Sequence, residues 1–247
     1  MTAQTLSMTV IIGIVVAFGG VAISHRMRTK RPIGFGIRHG GVKEFGIGLL
    51  LGAVAFLGIF AVEWSRGLVH VHRIAVDPRG LAQALGLVLL LAVAEEVAFR
   101  GLLMPGLLIV FHRRWVALLL SAALFAANHF FTDGMTRLTI LSALLGGIMY
   151  GLAYLATGRI WLPLGLHIAW NFVQGPILGF PVSGSALDGS TVIRQTVTGP
   201  DWLQGGAYGP EGGMIGILFR LLVILTLLVL ARTAFSRPRV PQYAPAR

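Results

Sequence analysis

The sequence predicts an all-α, polytopic transmembrane bundle of about seven to eight spans around a polar intramembrane cavity. Three observations carry the prediction. Hydrophobic residues make up 55% of the 247 and charged residues only 12%, leaving too little polar surface to coat a soluble globule. The apolar residues gather in runs near the roughly 20-residue length that a bilayer demands of a helix. The net charge of +11 sits mainly in the connections between those runs, as the positive-inside rule expects, which argues for lipid and against nucleic acid as the partner.

Taken in order, the first run, 8–24, has no basic residue ahead of it and no small-x-small cleavage pattern. It reads as a retained span rather than a signal peptide. Further spans are expected at 46–62, 81–104, 115–131, 138–156, 160–178 and 212–234. Alternate connections differ in charge. Thirteen Lys and Arg fall on one side (Arg26, Arg28, Lys30, Arg31, Arg38, Lys43, Arg113, Arg114, Arg159, Arg232, Arg237, Arg239 and Arg247), against five on the other (Arg66, Arg73, Arg79, Arg137 and Arg194). That asymmetry predicts an odd number of spans, with the amino terminus outside and the carboxyl terminus in the cytoplasm.

Residues 1–45 thus form a first span and basic cytoplasmic loop, and 46–235 the main transmembrane bundle. Residues 236–247 form a basic tail without apolar periodicity, expected to be disordered. The Gly-, Ser- and Pro-rich connection 179–211 is expected to be partly ordered over the mouth of the bundle. No cysteine is present, which removes disulfides, thiolate metal sites and cysteine nucleophiles. No internal repeat of the transporter kind is visible.

Chemistry concentrates where polar residues interrupt the spans. Glu95, Glu96 and Arg100 lie within an apolar stretch, where one charge near the middle of a bilayer costs about 2.5–3.5 kcal/mol on insertion scales. Successive helical residues point about 100° apart, so the two glutamates have different tasks. Glu96 and Arg100, at i and i+4, share a face and can pair. Glu95 is left without a local cation, free to hold a water or a metal.

The fourth span places Phe125 one turn before His129, and the sixth places His167 one turn before Asn171. A lone buried His or Asn reads equally well as interhelical hydrogen-bonding glue. Glue, however, requires no adjacent carboxylates, and Glu, His, His and Asn on three spans are the inventory of a hydrolytic site. Glu95, His129 and His167 are expected to converge in one cavity, reached from the cytoplasmic side or laterally from lipid. Measured along straight helices, His129 falls deeper than the other two, which leaves a helix limit to be corrected.

Glu-Glu-x-x-x-Arg at 95–100, Phe-x-x-x-His at 125–129 and His-x-x-x-Asn at 167–171, in that order on separate spans, resemble the three motifs of the CAAX-protease and bacteriocin-processing (Abi, CPBP) family. That family comprises intramembrane endopeptidases related to the type II CAAX prenyl endopeptidase. The resemblance implies that Glu95 is the general base activating water, and that His129 helps to hold that water. His167 and Asn171 would then stabilise the oxyanion, with Glu96, Arg100 and Phe125 in support.

A metal-free water is the preferred reading. Zinc on Glu95, His129 and His167 is the alternative, which would make the protein metalloprotease-like. The implied substrate is a membrane-tethered or hydrophobic peptide or protein; its prenylation and the oligomeric state stay open. The Ala-, Gly- and Arg-rich composition hints at a bacterial cytoplasmic membrane. A proton-coupled transporter and a non-catalytic membrane scaffold are the competing functions.

Overall fold

The computed structural model of the protein describes residues 3–29, 34–37, 40–186 and 191–233. The tail 236–247, and Lys30, Arg31 and Arg38 of the basic loop, lie outside the described residues.

The described chain is mostly helical, as predicted. Helix α1 covers Ala3–Thr29 and α2 Gly41–Ser65. Asp77 caps the next helix, α3, over Pro78–Glu96, by accepting from the Arg79 N–H at 3.1 Å, with Pro78 at the first helical position, where its missing N–H costs nothing. The same rod continues through a π-helical turn, Val97–Leu103, into α4, Met104–Phe111. Helix α5 covers Arg114–Ala127 and α6 Arg137–Thr157. Helix α7, Trp161–Phe172, runs on into a second π-turn, Val173–Ile177. Short helix α8, Asp201–Gln204, and two 3₁₀ turns, Gly206–Tyr208 and Pro210–Gly212, precede α9, Met214–Thr233.

Four helices are long and apolar enough to cross a membrane: Ser7–Thr29, Gly41–Ser65, Arg137–Thr157 and Met214–Ala231. Of the other predicted spans, α5 is apolar but has only 14 residues, and the third and sixth are rods interrupted by π-turns. The count of long helices is therefore four among the described residues, against seven to eight predicted spans. A second departure from an all-α chain is a two-stranded antiparallel sheet. Strand β1, Val69–Ile74, pairs with β2, Ile193–Val197, with Val69 opposite Val197 and Arg73 opposite Arg194. His70 and His72 lie exposed on β1 and meet Thr198 and Thr196.

Two close contacts set the framework. Gly48 and Gly52 of α2 lie against the α7 backbone around Leu162, Leu166 and Trp170, leaving no room for a Cβ. Gly147 of α6 does the same against Ala122 of α5. Small residues one turn apart let helix backbones meet directly. Below the polar residues, Leu103, Met104, Leu118, Met149, Tyr154, Leu162 and Leu166 make a continuous apolar core, each at most 1% exposed.

Candidate functional site

The three predicted motifs come together. Glu95 lies at the last turn of α3, beside Glu96, where the π-turn begins. A π-turn adds one residue per turn and recurs at functional sites; the second one follows directly after the His167–Asn171 segment.

Glu96 and Arg100 are wholly buried and paired, with Arg100 Nη1 donating to Glu96 Oε1 at 2.9 Å. The same oxygen accepts from His167 Nδ1 at 2.9 Å. Arg100 Nη2 donates to the Gly147 carbonyl at 3.1 Å, and its guanidinium lies 4.6 Å from the Phe125 ring centroid and 5.3 Å from that of Tyr150. The His167 ring stacks on Tyr150 with centroids 4.5 Å apart and planes 19° apart. Two hydrogen-bonded or stacked sides thus fix the imidazole. Its remaining nitrogen, Nε2, faces Glu95 Oε2 at 3.8 Å.

Glu95 differs from its neighbour as the helical geometry predicted. Its side chain is 26% exposed and lines a cavity of about 400 Å³ together with Phe125, His129, His167 and Asn171. The other Glu95 oxygen, Oε1, accepts from Asn128 Nδ2 at 3.5 Å. His129 is held by Nδ1 against the Phe125 carbonyl at 2.9 Å, with the Phe125 and His129 rings 4.9 Å apart. The predicted convergence of Glu95, His129 and His167 on one cavity therefore holds.

The depth conflict between Glu95 and His129 has a physical resolution. The third rod continues to Phe111 rather than stopping at Met104, so Glu95 lies about 24 Å from its far end at 1.5 Å per residue. Helix α5 ends at Ala127, and His129 occupies the turn beyond it.

The cavity has a wall that the motifs did not include. Glu211 is buried; its Oε2 accepts from Trp170 Nε1 at 3.0 Å and pairs with Arg220 Nη2. Its Oε1 accepts from both the backbone N–H and the hydroxyl of Ser183 at 2.8 Å. Arg220 also lies 4.8 Å from the Trp170 ring. Arg220, inside an apolar helix, is thus paired with Glu211. Tyr208 lines the same wall, and burial pushes its hydroxyl pKa up. The sequence signal for this wall was the glutamate in the glycine-rich stretch 205–213, ahead of an arginine inside an apolar run.

Zinc would need three protein ligands arranged around one point. Among the described residues no three His, Asp or Glu side chains are grouped to hold a metal. Glu95, His129 and His167 line the same cavity but are not gathered around one point.

A polar cavity inside an apolar bundle is walled by a carboxylate with unspent acceptor capacity, two imidazoles and an amide, groups able to take a proton and to hydrogen-bond a polar reactant. The comparison with known families agrees. Residues 77–173, less than half of the chain, match the family model described as "Type II CAAX prenyl endopeptidase Rce1-like", a protease family and the one that the three motifs resemble. Every predicted catalytic residue falls inside the matched stretch, whereas Glu211 and Arg220 fall outside it. No curated protein and no solved structure gives a significant match.

Proposed function

We propose that the protein is a CAAX-type intramembrane endopeptidase that hydrolyses a peptide bond of a membrane-associated protein or peptide by attack of a water that Glu95 activates. The observation that supports this most is the unequal setting of the two adjacent glutamates. Glu96 is wholly buried, with its Oε1 taken by both Arg100 and His167, whereas Glu95 borders the cavity, 3.8 Å from His167 Nε2. That separation is too long for a direct hydrogen bond, so both atoms keep capacity for a reactant.

In this reading Glu95 takes a proton as the water oxygen attacks the scissile carbonyl carbon. His129, at the same cavity, positions the water. The carbonyl oxygen becomes an oxyanion, received by the Asn171 amide and by His167. His167 donates through Nδ1 to Glu96 and, when protonated, through Nε2 to the oxyanion. Collapse of the tetrahedral intermediate breaks the C–N bond, and the leaving amine collects the proton from Glu95. The ring of Tyr150 and the Glu96–Arg100 pair keep the imidazole aimed throughout. No step uses a metal.

The test compares new peptide termini in membranes from cells producing the protein or its Glu95→Gln variant at matched levels. Termini present only with the unmutated protein are the expected result, and they persist when a zinc chelator is added. Identical profiles would overturn the reading in favour of a carrier or scaffold.

A further inference from the structure

Two facts of geometry bear on which face of the membrane the site serves. The cavity is lined by side chains from connecting segments, and every one belongs to the same end of the bundle. Thr132 comes from the α5–α6 connection; Val182, Ser183 and Ser185 follow the second π-turn; Tyr208 and Glu211 precede α9. Ser185 is exposed, while Thr132 and Ser183 are half-buried, so polar side chains mark a path from solvent to Glu95. This is also the end that carries the β1–β2 sheet, between the end of α2 and the start of α3.

Towards the opposite end the cavity has no lining from the α4–α5 or α6–α7 connections. There Met104, Leu118, Met149, Tyr154 and Leu162 are each at most 1% exposed. They close the bundle with apolar side chains, so water has no polar route from that end.

Charge distinguishes the two ends. The closed end carries Arg26 and Arg28 in the last turn of α1, exposed Lys43, and exposed Arg113 and Arg114 at the start of α5. It also carries Arg159, which pairs with Glu44. Counted along the sequence, the connections on that side hold thirteen Lys and Arg, of which Lys30, Arg31, Arg38, Arg237, Arg239 and Arg247 lie outside the described residues. The open end carries five. Basic residues in short connections stay in the cytoplasm.

We infer that the catalytic cavity opens on the non-cytoplasmic face. This differs from the expectation of entry from the cytoplasmic side or laterally from lipid, and it rests on the proteolytic reading above only for its consequence. The bond that is cut then belongs to a segment already delivered across the membrane or anchored at its outer surface, and the released polar product leaves on that side.

The absence of cysteine makes a direct test available. Single-cysteine variants Ser185→Cys and Thr196→Cys report the open end, and Lys43→Cys and Arg113→Cys the closed end; all four positions are exposed. Intact cells are treated with a membrane-impermeant maleimide, with and without permeabilisation. Labelling of the first pair in intact cells, and of the second only after permeabilisation, is the expected pattern. The reverse pattern overturns the inference.

A second arm ties the mouth to the chemistry. A bulky polyethylene-glycol maleimide attached to Ser185→Cys from outside should remove the Glu95-dependent peptide termini. Their persistence at full level after complete labelling would show that this is not the entrance. Should the unmutated protein yield no Glu95-dependent termini, the proteolytic reading fails, while the labelling pattern still decides the orientation.

Discussion

Glu95 and Glu96 are neighbours in the chain with opposite fates, and their substitutions should separate chemistry from folding. Glu95→Gln keeps the shape and the Asn128 contact but removes the base. A positioned general base contributes about 10²–10⁴-fold, so cleavage should fall by at least about a hundredfold with little change in thermal stability in detergent. Glu96→Ala instead strands Arg100 in an apolar core and frees His167 Nδ1. Breaking a buried pair by removing one partner costs about 3–5 kcal/mol, so that variant should lose its unfolding transition or show a greatly lowered midpoint. Retained stability in Glu96→Ala would refute the structural role given to the pair.

Tyr208 offers a third residue-scale test. Its hydroxyl pKa is raised above the ordinary 10.0, first by burial and then by the charge of Glu211. The folded state therefore holds its proton where the unfolded chain releases it. Stability is fully present below about pH 10 and falls as pH rises further, by up to about 1.4 kcal/mol per pH unit for one such group. Tyr208→Phe should flatten that alkaline loss, read as unfolding midpoint against pH.

At the scale of elements, the long helices were legible because their apolar runs match the bilayer and tolerate errors of a few residues. Breaks in the third and sixth rods were not. The π-turns after Glu96 and Phe172 leave no trace in hydropathy, since they preserve the apolar character of the segment while shifting its faces. The end of α5 at Ala127 was hidden for the same reason: Phe130 and Phe131 continue the apolar run beyond the helix. The sheet was missed because Val69–Ile74 alternates over only six residues, and its partner strand is more than a hundred residues away.

The glycines of α2 differ in what they abut. Gly48 and Gly52 do abut α7, but Gly46 has nothing near it. Gly52→Leu should drive a side chain into the Leu166 carbonyl and the Trp170 backbone. Overpacking of this kind costs about 1–3 kcal/mol and displaces the helix that carries His167 and Asn171. A lowered midpoint together with reduced cleavage is expected, whereas Gly46→Ala should leave both unchanged.

Across the whole molecule, the site was half visible. The motif residues announced themselves as charges and amides at helical spacing inside apolar runs. The opposite wall did not, because Glu211 lies in a connecting segment and finds Trp170, Ser183 and Arg220 only through the tertiary fold. That glutamate joins α7, α9 and the segment after the second π-turn, and its backbone carbonyl accepts from Ser142 of α6 at 2.5 Å. Removing one member of its ion pair leaves the other charge buried and uncompensated, so Glu211→Leu and Arg220→Met should each destabilise by about 3–5 kcal/mol. Replacing both removes two desolvated charges together, and buried pairs exchanged for apolar residues of similar volume are often neutral in stability. The double variant should therefore unfold at a higher temperature than either single variant. If the losses simply add, Glu211 and Arg220 do not act as a pair, and the far wall of the cavity is held by Trp170 and Ser183 alone.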